Sequence, residues 1–101
     1  MIRMSGDQLH ELEPPPDARE KGGHEVLRCF VVDGGLSVGL RRSFDDPGTW
    51  GVLLADLARH AARIYALEAG VEESEALEAI KDMFDAEWSR PTDFGVTSAM
   101  N

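Results

Sequence analysis

The sequence is short of cysteine, of positive charge and of long apolar runs, and each shortage excludes something. Cys29 is the only cysteine, so the chain can form no internal disulfide and no cysteine-based zinc site. Lysine and arginine number 10 against 19 aspartates and glutamates, for a formal net charge of -9. That balance argues against nucleic acid or an anionic membrane surface as a partner, because phosphate binding needs clustered basic side chains. No stretch approaches the roughly 20 apolar residues of a membrane span. The first residues lack the apolar core of a secretory signal. A cytoplasmic, reduced location is expected. His10, His24 and His60 are too scattered to imply a metal site. No phosphate or dinucleotide loop joins a strand to a helix, so no cofactor is expected.

What is present reads as one domain. Residues 1–23 form an expected extended or partly disordered arm: "ELEPPPDAREKGG" mixes charge with three prolines and a Gly-Gly and offers little to bury. A short helical turn between Met4 and Leu12 would be ended by the prolines. Two runs follow, "HEVLRCFVVD" and "LSVGLRRSF", rich in the residues strands favour. The "DGG" between them signals a tight turn with positive φ. A two-residue turn, at Asp33-Gly34 or Gly34-Gly35, places Leu27, Cys29, Val31, Leu36, Val38 and Leu40 on one apolar face, and a one-residue slip would scatter them. The other face carries Val26, Arg28, Phe30 and Val32 opposite Ser37, Gly39 and Arg41.

In "DDPGTWG" an aspartate can cap a helix that Pro47 begins. The first helix is predicted from Pro47 to Ala69, with Trp50, Leu53, Leu54, Leu57, Ala61, Ile64 and Tyr65 at helical spacing, and Gly70 ends it. The second is predicted from Glu72 to Trp88, with a stripe of Leu77, Ile80, Met83, Phe84 and Trp88 and an acidic remainder. Its late acidic residues do not suit a helix C-terminus. Pro91 stops it, and 94–101 is a tail. The expected class is α+β: a β-hairpin followed by two antiparallel amphipathic helices (ββαα) over residues 24–93, in two layers, with the helices covering one sheet face.

Candidate chemistry is thin. Asp45-Asp46 reads as a cap and not a metal site. Asp56 and His60 are four apart on one helix, the spacing of an acid–base pair and equally of a solvated face. Cys29 falls on the apolar face, where a thiol is structural and inert. Arg28, Arg41 and Arg42 are the one basic concentration. With a Gly34-Gly35 turn Arg28 faces Arg41, which needs a neutraliser: the acidic arm (Asp7, Glu11, Glu13), another subunit's acidic helix, or an anionic ligand.

The blocks "EVLRCFVVDGGLSVGL", "FDDPGTWGVLLADLARHAARIYA" and "FDAEWSRPTD" resemble a small bacterial domain-of-unknown-function family of about this length. The resemblance implies one compact domain and assigns no catalytic residue. Two functional readings stand. The first is a non-enzymatic interaction module that self-associates as a homodimer through Val26, Arg28, Phe30, Val32 and Arg41, since half-apolar exposed faces mark partner sites. The second is a small-anion binder or small enzyme using Arg28, Arg41 and Arg42, or Asp56 and His60. A third would dock the acidic second helix on a basic partner.

Overall fold

A computed structural model describes residues 8–93 and 95–100. The elements run α1 (Pro16–Lys21), β1 (Leu27–Val32), β2 (Gly35–Leu40), α2 (Gly48–Ala69), α3 (Glu73–Ser89) and β3 (Val96–Ala99). The ββαα order of the α+β class is there. Two elements were not anticipated: the arm contains the short helix α1, and the expected tail supplies a third strand. The part of the expected turn at residues 4–7 lies outside the described residues.

The hairpin turn is Asp33-Gly34, with φ of 50° and 81°, both positive as a type I′ turn requires. Its register pairs Leu27 with Leu40, Cys29 with Val38 and Val31 with Leu36. The apolar row therefore lies on one face as expected. Arg28 pairs with Gly39 and Phe30 with Ser37, so Arg28 does not face Arg41. β3 runs parallel to β2, with Val38 beside Thr97 and Leu40 beside Ala99, and extends the same face. A Cβ on Gly95 would run into the Leu36 carbonyl, so only glycine lets the chain approach β2 closely enough to begin this strand.

Pro47 has helical dihedrals (φ -56°, ψ -29°), which makes Asp46 the effective cap. Asp46 Oδ1 accepts from the Gly48 N–H at 2.8 Å, and the Asp46 carbonyl accepts from Thr49. α2 ends at Gly70 in the left-handed conformation (φ 68°), where a side chain would be strained.

The expected two-layer packing is corrected. α2 packs on α3 and the strands pack on one another, but among the described residues neither helix packs on the sheet. The helical hairpin projects from the sheet. Its 22-residue first helix is about 33 Å long, and the molecule extends over 48 × 33 × 31 Å. Its radius of gyration is 16.1 Å, against about 13 Å for a compact domain of this length. Only Ala62 and Ala76 are buried among the described residues. The helices meet only each other, so these two mark the seam, where small side chains let the backbones approach. At about 100° per residue, Leu57 and Ile64 sit well away from Ala62, and that part of the expected stripe turns outward, while Leu53 is half-buried. Leu57 and Ile64 stay exposed. Cys29 is exposed too, contrary to the expected burial: its face is the apolar one, but neither helix packs over it.

Candidate functional site

The connection from sheet to helices is built on "RRSFDDPGTW". Trp50 Nε1 donates to the Arg42 carbonyl at 3.0 Å. Phe44 meets the Trp50 ring edge-on, with centroids 5.5 Å apart. Its N–H closes onto the same Arg42 carbonyl at 2.6 Å. Ser43 holds a positive φ of 59°, rare for a side-chain-bearing residue. These contacts clamp residues 41–47 to the first turn of α2. They fix the direction in which the helices leave the sheet, and they answer what the "DDPGTW" block does: it sets an angle.

The return connection is pinned as well. Glu87, near the end of α3, accepts from the Thr92 N–H at 2.7 Å and from the Thr92 hydroxyl at 2.9 Å. Asp93 Oδ2 accepts from the Leu36 N–H at 3.1 Å, and Oδ1 accepts from Gly95 at 3.0 Å. Asp93 thus staples the chain after α3 to the start of β2, a role that only its position after Pro91 could have signalled. The Glu87 carboxyl is held below its ordinary value of 4.5, first by the Thr92 backbone N–H and then by its hydroxyl. These bonds offset the unfavourable end of the helix dipole. A group whose folded value is depressed stabilises above its unfolded value, and that contribution is lost as pH falls through the lower folded value. Wild type should therefore lose stability on acidification below pH 4.5 more steeply than Glu87→Gln. Parallel thermal melts of the two proteins through the acid range check this, and superimposable curves would contradict it.

Two open cavities flank this frame. One, of about 810 Å³, lies between the arm and β1, with His10, Leu12, His24, Arg28 and Phe30 in its lining. Its charges are already matched: Arg28 pairs with Glu11 at 2.9 Å and with Glu25 at 3.0 Å, and Arg19 pairs with Glu13. The arm is thus the neutraliser of Arg28, through Glu11; Asp7 lies outside the described residues. The contact is ionic and not hydrophobic, since Leu12 remains 93% exposed. The other cavity is a groove of about 690 Å³ between the helices, walled by Trp50, Leu54, Ala58, Leu77, Ile80 and Phe84, with Trp88 at one end. Its exposed lining is mostly apolar, with Arg59 and Lys81 also on it, and Phe84 stacks on Trp88 with centroids 5.6 Å apart.

The sequence-derived candidates are dispersed over this frame. The Arg28 guanidinium lies 5.7 Å from the centre of the Phe30 ring, a cation–π arrangement. Phe30 and Val26 are half-buried and Val32 is exposed. Arg41 continues the ladder by donating its N–H to the Val26 carbonyl. Exposed Arg42 contributes its carbonyl to the clamp. No hydrogen bond joins Asp56 to His60; His60 Nδ1 lies 3.3 Å from Arg63 Nη1 instead. Among the described residues no group of three or more His, Cys, Asp and Glu is placed to hold a metal ion, and no helix is long and apolar enough to cross a membrane.

The family model described as "Domain of unknown function (DUF5076)" matches residues 11–92. The chain belongs to the DUF5076 family. That span runs from Glu11, which pairs with Arg28, to Thr92, which Glu87 holds, and so takes in the hairpin, the clamp and both long helices of the DUF5076 domain. A solved structure "of a putative pyruvate dehydrogenase from the photosynthetic bacterium Rhodopseudomonas palustrus" is similar to this DUF5076 chain. It is 52% identical over 97% of this chain and 100% of its own, with a TM-score of 0.64. No curated protein matches.

Proposed function

We propose that this DUF5076 domain is a non-enzymatic interaction module whose working form is a homodimer. The observation that carries the reading is surface area. The single chain exposes 9029 Å². A folded monomer of 11.1 kDa exposes about 5,700 Å² by the usual scaling with mass. Open apolar faces contribute to the excess. Val31, Leu54, Leu57, Ile64, Phe84 and Trp88 are all exposed, far more apolar surface than a soluble monomer leaves open. An excess of about 3,300 Å² per chain is more than enough for an obligate interface, which buries about 2,000–5,000 Å² counted over both chains. The parallel pair β2/β3 argues the same way. Parallel strands joined by a helical crossover are normally covered by that crossover, and here neither helix packs on them.

The anion-binding reading has less support, because Arg28 already carries two carboxylates. The name borne by the similar solved structure belongs to that protein, and no arrangement of side chains described above adds to it.

The test is the solution mass of the full chain by sedimentation, over on the order of a hundredfold range of concentration. The expected result is twice 11.1 kDa throughout, or a monomer–dimer equilibrium. A monomer at every concentration would end the proposal.

A further inference from the structure

Two apolar surfaces of this chain are open to solvent. One is the sheet face on which Cys29, Val31 and Leu36 are exposed and Leu27, Val38 and Leu40 half-buried, continued by exposed Thr97 and Ala99; Leu27 and Cys29 border the cavity beside the arm, and neither helix packs on this face. It carries no charged residue of its own, so the charges such a contact meets are the groove's Arg59 and Lys81. The other is the groove between α2 and α3, walled by Trp50, Leu54, Ala58, Leu77, Ile80 and Phe84. A sheet face and a helical groove are the two halves of a two-layer α/β packing. In one chain they cannot meet while the clamp holds the helices away from the sheet: Trp50 ties the linker through the Arg42 carbonyl, and Phe44 braces it.

We infer that the groove is filled by the apolar sheet face of a second copy of the chain, and reciprocally, so that each subunit's sheet lies on its partner's helices. This rests on the self-association reading above and specifies its interface. A two-fold axis makes the arrangement closed: sheet i covers groove j, and sheet j covers groove i. Both open surfaces are satisfied by one contact type used twice, whereas pairing helices with helices would leave the parallel strands open. The opposite sheet face is a poorer candidate. Arg28 lies over Phe30 there, and Met100 reaches over Gly39.

Complementation in full-length chains tests the inference. Val31→Glu places a charge on the sheet face at a side chain that is 76% exposed in the single chain, so the chain's own fold is spared. Leu54→Lys places the opposite charge in the groove. Each variant alone spoils both reciprocal contacts and should weaken dimerisation at least tenfold, on the order of 1.4 kcal/mol. Mixing them restores one wild-type contact and sets opposite charges in the other, so the mixture should dimerise at least tenfold more tightly than either alone. If either variant alone dimerises like wild type, or if both are impaired and mixing rescues neither, the reciprocal interface is wrong while self-association stands. If wild type is monomeric, the underlying reading has failed instead. Far-UV circular dichroism verifies that helices persist in each variant. Should Leu54→Lys lose them, Trp88→Lys takes its place, because Trp88 is 74% exposed at the groove's end.

Discussion

Replacing Ala62 with Asp should abolish the helical hairpin. Ala62 is fully buried, and with Ala76 it is all that α2 and α3 bury completely between them. A carboxylate at this seam would have no room and no partner. Leaving one buried charge unmatched costs roughly 3–5 kcal/mol, against a total stability of about 5–15 kcal/mol for an ordinary domain. Loss of most far-UV helical signal at room temperature is the expected readout. Ala62→Ser, which adds a single hydroxyl, should retain the helices at a reduced melting temperature. If the Asp variant kept wild-type helicity and melting, the seam would not run through Ala62.

The second large effect is expected at Trp50. This side chain does three things: it donates to the Arg42 carbonyl, it packs against Phe44, and it forms a wall of the groove. Trp50→Ala removes all three. A half-buried Trp falls somewhat below the range of about 3–5 kcal/mol for truncating a buried one, at about 2–3 kcal/mol, or roughly 10–20 °C in melting temperature for a domain of this size. Trp50→Phe keeps a ring in place and loses the N–H donor, at a cost of about 1 kcal/mol. Calorimetry at one fixed protein concentration separates the two, since association also moves the melting point. Equal melting of Trp50→Ala and wild type would mean that the linker is held by something else.

The clamp and the Asp93 staple together explain why an open shape is a defined shape. The chain leaves the sheet through a linker locked onto α2 and returns through a segment locked onto β2. These contacts tie both connections and keep the helices off the sheet in the single chain. A second copy can use the two apolar surfaces, and the chain itself cannot.

Local features were legible in the sequence wherever short-range physics decides them. A two-residue turn in "DGG", at Asp33-Gly34 or Gly34-Gly35, follows from residues that tolerate positive φ, and with it came the shared face of Leu27 and Leu40; the structure decides for Asp33-Gly34 and so sets the register. The Asp46 cap, the proline at the start of α2 and the glycine at its end follow from the dangling N–H and C=O groups of every helix. The helix bounds come within one residue of those read from periodicity. β3 was not legible, because "VTSA" is only four residues long and half polar, and becomes a strand only by borrowing the edge of β2. Asp56 and His60 could be read as a possible pair and no more: spacing allows that contact, and a neighbouring arginine decides otherwise. Burial was the property least open to sequence reading. Alternation and helical spacing identify which side chains share a face, but they carry no information about what covers that face. Here the tertiary structure decided it, because Trp50, Phe44 and Arg42 turn the helices away from the sheet. That orientation leaves Cys29 and Leu54 uncovered in the single chain.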